Sequence, residues 1–385
     1  MKKIILIFII CMYIIIASGC WNYREINDVS IAVGTAVDYD KEKDEIILTT
    51  EVVYPMLIDG KTKMKTEIIK TKGKNIFEAI RNMIPLTGKK VFWAHAKVII
   101  ISEEVAKNDK ILISLVDFVK RDAEFRDDIW MILSKEKTAG EILKTDAMIQ
   151  NIVSFQLEEI LKNERGIEKY HAVPLWKFVD DLETEGIDPT LPTVKITPYK
   201  DKKIIQMHGT GIFKASKLVG WLDGNDSKCF LFIMDKIKGG VIIVEEKTPK
   251  EPVRVALEIF KNKTKTKSTY ENGEITININ INTTVNINEL ENQIDFINER
   301  GRSMVKKDAE KLIENKIKSI IKKVQKEYDS DIFGFGSIIE REHPKLWKEI
   351  KDDWDKIFKD LKIEVKAEVN IRGSALRSKP IKVGS

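Results

Sequence analysis

Apolar and polar positions repeat along this chain with a period that changes from segment to segment. The first stretch has no alternation: Ile4 to Ile16 is unbroken apolar sequence. Small and β-branched residues from Val29 to Asp38 predict a strand, and Glu45 to Tyr54 predicts a second. A Lys-Glu-Lys-Asp turn separates them, so the two read as a hairpin. Asn75 to Ile84 has the spacing of a short helix, through Ile76, Phe77, Ala79, Ile80 and Met83. Val91 to Ser102 (VFWAHAKVIIIS) predicts one buried strand, and Ile129 to Ser134 another. Helices are expected over Ile111 to Val119, Thr138 to Ile152, Ser154 to Lys162 and Leu175 to Leu182.

Asp188-Pro189-Thr190-Leu191-Pro192 cannot continue a helix and marks a boundary near 185–205. Beyond it, Met207 to Lys214 and Leu218 to Leu222 predict a hairpin pair. Gly239 to Glu245 and Val253 to Phe260 predict further strands. The clearest strand signal follows: Ile275, Ile277, Ile279 and Ile281 alternate with Thr276, Asn278, Asn280 and Asn282. One face is apolar and the other polar, as a half-solvated sheet requires. Asn272-Gly273 before it is a hairpin turn. Ser303 to Tyr328 reads as one helix of about 38 Å. Its stripe of Val305, Ala309, Leu312, Ile313, Ile317, Ile320, Ile321 and Val324 is expected to pack on the preceding sheet rather than in a coiled coil. Pro344 to Phe358 predicts a shorter helix carrying Trp347 and Trp354. The last strand runs through Ile363, Val365, Ala367, Val369 and Ile371.

Strands and helices mix throughout, with hairpin-like pairs. That pattern predicts an α+β, multi-domain chain with mostly antiparallel or mixed sheets rather than a doubly wound parallel fold. The expected organisation is a leader over 1–19 and an N-terminal α+β region over 20–200 that divides into two subdomains. A C-terminal α+β domain over 201–378, built on helix 303–328, completes it.

Composition adds limits. The chain has 385 residues, 43% hydrophobic and 32% charged, an ordinary folded balance. The formal charge is +5, and setting aside Lys2 and Lys3 of the leader leaves about +3. Acidic residues are interleaved with the lysines, so nothing concentrates basic charge for nucleic acid. The cysteines are Cys11, Cys20 and Cys229. Cys229, in the apolar run to Met234, is expected as a buried inert thiol.

The leader reads MKKIILIFIICMYIIIASGC. Its roughly thirteen apolar residues are too few to cross a ~30 Å hydrocarbon core, and fit the apolar part of a signal peptide. Ala17, Ser18 and Gly19 then precede Cys20, the arrangement of a bacterial lipobox. Cys20 is therefore the expected lipid attachment site and the new N-terminus after cleavage. Ala17 stands where such boxes usually carry Leu. Two acyl chains anchor where one binds marginally.

Catalytic patterns are sparse. His95, His171, His208 and His343 stand far apart, and no Cys-x-x-Cys accompanies them. No zinc site, phosphate loop or nucleophile elbow is expected. Gly209-x-Gly211 and Gly334-x-Gly336 read as turn and strand glycines. His95 is expected as a hydrogen-bonded core residue. Arg121-Asp122 with Glu124 and Arg126 reads as a salt-bridged helix end.

Several segments combine into a resemblance. Cys20-Trp21-Asn22-Tyr23-Arg24-Glu25-Ile26 is similar to the start of the Ger(x)C family, with Asn22 where that family usually has Asp. Trp93-Ala94-His95-Ala96-Lys97-Val98-Ile99, Phe118-x-x-Arg121-Asp122 and Gly211-Ile212-Phe213-Lys214 with Leu218-Val219-Gly220 resemble later family segments, in order. Asp331-Ile332-Phe333-Gly334-Phe335-Gly336, Trp347 and Trp354 resemble its C-terminal region. The resemblance implies a non-enzymatic lipoprotein subunit of a spore germinant receptor, with a three-domain α+β ectodomain and no cofactor. It implies a place on the outer face of the spore inner membrane, held by lipid on Cys20. There it would assemble with integral A and B subunits and trigger germination in response to nutrients. The alternative is a substrate-binding lipoprotein of a transporter, which requires a doubly wound parallel fold.

Cys20→Ala is expected to release the chain from membranes or leave the leader uncut. Membrane fractionation with the mass of the N-terminal peptide checks it, and normal processing with unchanged attachment would refute the lipobox assignment.

Overall fold

A computed structural model describes residues 3–5, 29–58, 60–166, 168–246, 253–290 and 299–373. Nearly all of the leader, Cys20 and the Trp21-led segment lie outside the described residues.

The first hairpin forms as expected. β1 (Val29–Asp40) and β2 (Glu45–Ile58) pair antiparallel. β2 turns into β3 (Lys61–Gly73), which pairs with it from Ile58↔Lys61 to Ile46↔Gly73. The sequence predicts no strand there, because Lys and Thr dominate β3 and hide its alternation. Asn75 caps α1 (Ile76–Arg81), its side chain accepting from Glu78 N at 2.9 Å, and α2 (Ile84–Thr87) follows.

Val91 to Ser102 is two strands, not one. β4 (Lys90–Phe92) and β5 (Val98–Ile101) both lie parallel to β1, and the chain turns over Trp93–Lys97 between them. β1 bulges between Ala32 and Gly34 at that level, and Lys97 N donates to Val33 O at 2.8 Å, so the ladder is interrupted on both sides. Gly34 is required here: a Cβ would lie 2.1 Å from Ser154 Oγ.

α3 (Glu103–Ala106) and α4 (Asp109–Arg121) lead to β6 (Trp130–Ser134), parallel to β5. The helix expected over Thr138–Ile152 is only a 3-10 stretch, Ala139–Lys144. After it the backbone joins the sheet instead, Asp146 N donating to Lys203 O at 3.1 Å. α5 (Val153–Lys162), β7 (Val173–Pro174) and α6 (Leu175–Glu183) come next. β8 (Thr190–Tyr199), β9 (Lys202–Lys214) and β10 (Lys217–Leu222) complete a ten-stranded sheet. Its order is β10-β9-β8-β6-β5-β1-β2-β3, with β4 on β1 and β7 on β6. The centre is parallel and the flanks antiparallel. Position 200, the expected end of the N-terminal region, is the turn between the paired strands β8 and β9.

Helices cover both faces of this sheet. Ile76, Leu112, Leu115 and Phe178 pack on one side with Ile99 and Ile101; Ile142, Leu157 and Leu161 pack on the other with Val98 and Ile100. Burial on both faces is why Val98–Ile101 is continuously apolar.

The second sheet follows α7 (Gly224–Ile233), which carries the buried Cys229. It comprises β11 (Val241–Glu246), β12 (Val253–Glu271) and β13 (Glu274–Leu290), successively antiparallel. Asn272 and Gly273 turn between the last two, both with positive φ. α8 (Glu299–Lys323) lays Val305, Ala309, Ile313, Ile317 and Ile320 on the Ile277, Ile279 and Ile281 face, as expected.

α9 (Phe335–Glu342), α10 (Pro344–Ile350) and α11 (Trp354–Asp360) precede β14 (Lys362–Gly373), which joins β13 in parallel. The single helix expected over Pro344–Phe358 is broken at Lys351–Asp353. In a straight helix, Trp347 and Trp354 would be about 10 Å apart along the axis. The break lets their rings meet edge-on at 5.4 Å. The whole is α+β, with one mixed sheet and one mostly antiparallel sheet. No helix among the described residues is long and apolar enough to cross a membrane.

Buried Glu51 of β2 positions α5 by accepting from Val153 N at 3.1 Å and Ser154 N at 2.9 Å. Glu51→Ala is expected to cost about 2–3 kcal/mol by leaving those donors unsatisfied. A urea melt would show a lower midpoint; an unchanged midpoint would contradict this role.

Candidate functional site

The segment before β8 meets the segment before α9, and this meeting joins the two sheets. Asp188 N donates to Asp331 O at 2.9 Å, and Asp331 N returns a bond to Asp188 Oδ2 at 2.8 Å. Asp188 Oδ1 also accepts from Ala215 N at 2.7 Å, which ties in the β9–β10 turn. The Asp331 carboxylate accepts from Phe335 N at 3.1 Å and Gly336 N at 2.8 Å, at the start of α9. All four carboxylate oxygens thus accept main-chain N–H groups.

Around this pair the two chains touch backbone to backbone. Ser337 N donates to Gly186 O at 3.1 Å, and a Cβ on Gly336 would lie 2.6 Å from Gly186 Cα. Gly186 (φ 74°) and Gly334 (φ 69°) both take left-handed conformations that favour glycine. Glu185 accepts from Lys351 Nζ at 3.0 Å and from the Trp347 indole at 3.4 Å. Farther along, Ser330 Oγ donates to Phe213 O at 2.6 Å and Tyr328 OH to Trp221 O at 3.1 Å. A cleft of about 290 Å³ opens over the joint, lined by Glu185, Asp188, Asp331, Trp347, Lys351 and Trp354.

Electrostatics follow from burial. Asp331 is 4% exposed, and loss of water pushes its pKa up to about 7. The Gly336 and Phe335 N–H groups pull it down, and Asp188 pushes it up. Asp188 is likewise raised, chiefly by burial. Chemically this arrangement fastens chain segments together.

The residues singled out by sequence do not converge. Cys20 lies outside the described residues. His95 is exposed in the turn between β4 and β5, not in the core, because the ladder breaks there; its ring meets Phe92 at 5.9 Å. His171 is buried against Phe230 and held neutral, its pKa pushed down to about 3 by burial. His208 lies against Gly224, and His343 Nε2 is 3.4 Å from Ser268 O. No acid, His and Cys group that could hold a metal occurs among the described residues. Burial raises the Cys229 thiol to about 11, which makes it unreactive. Arg121 pairs with Asp117 and Arg126 with Asp128 as local surface pairs, while Glu124 reaches back to Lys90 at the start of β4 in a part-buried pair. Gly334-x-Gly336, read as turn glycines, belongs to the joint. The left-handed Gly334 is a turn glycine, but Gly336 answers the close approach of Gly186.

Comparison with known proteins extends over nearly the whole chain. A family described as "Spore germination protein N-terminal domain" matches residues 22–196, and "Spore germination B3/ GerAC like, C-terminal" matches residues 208–375. Spore germination protein KC of Bacillus subtilis (strain 168) is 25% identical, covering 99% of this chain and 98% of its own. Spore germination protein B3 of the same organism is 26% identical, covering 89% and 90%. The crystal structure of the GerBC protein shares the fold, with a TM-score of 0.54 at 21% identity, over 88% of this chain and 97% of that one.

The joint should make stability pH-dependent. The folded pKa of Asp331 lies above its unfolded value of 3.8, so its neutral form favours folding. That contribution is fully present below about 3.8 and is lost as pH rises through about 7. The loss should be on the order of a few kcal/mol. Asp331→Asn, which resembles the neutral acid, should make the dependence shallower without removing it, because burial raises Glu168 to about 7 as well. Thermal melts between pH 4 and 8 check this, and a variant that keeps the wild-type slope would assign the dependence elsewhere.

Proposed function

The chain belongs to the Ger(x)C family of spore germination proteins, and we propose that it is the C subunit of a nutrient germinant receptor. In this reading it works without catalysis. A lipid on Cys20 holds it on the outer face of the spore inner membrane, where it assembles with integral A and B subunits. The observation that carries the reading is the pair of family matches, in order, over residues 22–196 and 208–375. Two features support it. The segments that carried the resemblance toward the C-terminus, Asp331 to Gly336 with Trp347 and Trp354, build or line the joint between the sheets. The carboxylates there are occupied by main-chain N–H groups, which suits a scaffold better than a proton-transfer site. The transporter alternative requires a doubly wound parallel fold, and these flanking antiparallel strands and long β12–β13 hairpin are a different architecture.

Removing the chain should abolish the spore's response to one nutrient set and leave spores otherwise intact. Crosslinking with mass spectrometry on spore membranes should join its peptides to two integral subunits. An unaltered germination response to every nutrient, or crosslinks only to a transporter permease, would sink the proposal.

A further inference from the structure

The N-terminal hairpin carries an arm that lies outside the hydrophobic cores of the described residues. β1 pairs with β2 only as far as Ile31↔Val53. β2 and β3 continue together through Tyr54↔Lys65, Pro55↔Met64, Met56↔Lys63, Leu57↔Thr62 and Ile58↔Lys61. No other described strand pairs with this stretch. Five residue pairs at about 3.4 Å carry it about 17 Å past Ile31. The two strands run antiparallel, so the tip at Gly60 points the way the chain enters at Val29. It stands about 10 Å beyond Val29 in that direction.

Its composition is unlike a solvated edge strand. Lys is the expected guard of an exposed edge, and Lys61, Lys63 and Lys65 are exposed. Yet Met56, the register partner of Lys63 and so on the lysine face, is 44% exposed, and Met64 on the opposite face is 57% exposed. Asp59 is the only acid from 54 to 65, which leaves a net charge of +2 there. On the other side of Val29, its register partner Lys90 begins β4, and α2 just before it exposes Leu86 by 66%. Flexible apolar side chains beside lysines suit the boundary between headgroups and acyl chains, where Lys stems stay apolar and their ammonium groups reach phosphate.

We propose that the arm formed by Tyr54–Ile58 of β2 and Lys61–Lys65 of β3 rests on an anionic lipid surface and sets how the body stands on the bilayer. The proposal rests on the reading that Cys20 holds the N-terminus at that bilayer. Nine residues lead from Cys20 to Val29 and reach at most about 30 Å when extended. The tip therefore lies within the range that the tether allows. Each lysine near an anionic surface contributes about fivefold, so three together contribute roughly a hundredfold.

Hydrogen exchange of the full chain bound to vesicles tests this. Vesicles of phosphatidylcholine alone are compared with vesicles that also contain phosphatidylglycerol. Amides of 54–65 should exchange more slowly on the anionic vesicles, while those of 274–290 stay unchanged as the measure of an intact fold. Lys61→Glu/Lys63→Glu/Lys65→Glu should remove the slowing, and Met56→Ser, on the same face as the lysines, should weaken it. Equal exchange on both lipids, or slowing that survives the triple change, overturns the proposal. The anchor is scored separately, by whether Cys20→Ala still floats with vesicles. When that chain is simply mixed with anionic vesicles, slowing at the arm keeps the contact and discards only the lipid. Absence of slowing in both chains discards the arm.

Discussion

A carboxylate can stay inside a protein only where other dipoles replace its water, and in this chain those dipoles are free main-chain N–H groups. The first N–H groups of a helix have no partner within it, and they sit at the positive end of its dipole. Asp38 accepts from Ala139 N at 2.6 Å and Gly140 N at 3.1 Å. Glu51 takes the start of α5, and Asp331 takes the start of α9. Glu168 accepts from Gly239 N, and a Cβ on Gly240 would meet its carboxylate oxygen at 1.9 Å. Burial raises Asp38, Glu51, Glu168 and Asp331 alike, which shows that the N–H groups offset desolvation only in part. Asp38, Glu51 and Glu168 tie segments far apart in sequence, and at the joint the long-range bond is the one from Asp331 N to the Asp188 carboxylate, while the Asp331 carboxylate caps the start of α9 just after it. In the described residues Cys229 is a free buried thiol, so these bonds fix relative placement that apolar packing alone would leave loose.

How much of this was legible follows from the range of each interaction. The Ile275 to Ile281 alternation and the stripe of α8 are local patterns with one buried face, and both appear where the spacing put them. β3 was not legible, because an edge strand with exposed lysines has no apolar rank to show. The break at Trp93–Lys97 depends on a bulge in β1, sixty residues upstream, and its effect on His95 could not be seen in an apolar-looking run. The joint was visible only as two separate hints. Pro189 and Pro192 marked a chain that could not be helical, and Asp331 to Gly336 stood out by resemblance. Their contact spans 143 positions, and no local period encodes it.

Direction of the parallel strands brings these features to one end. β1, β5, β6 and β8 run the same way, entered near Val29, Val98, Trp130 and Thr190. Asp188 lies just before β8, so the joint with the second sheet stands at the same end as the chain's entry at Val29 and the β2–β3 arm. Two mechanical links therefore start from that end. One is the tether through β1, and the other is the Asp188–Asp331 fastening to the C-terminal half. With the N-terminus held at a bilayer as proposed, the arm and the joint would both lie toward that side of the body. At that end Asp188 of the first sheet's segment and Asp331 before α9 lie side by side, so residues of both halves are close together there.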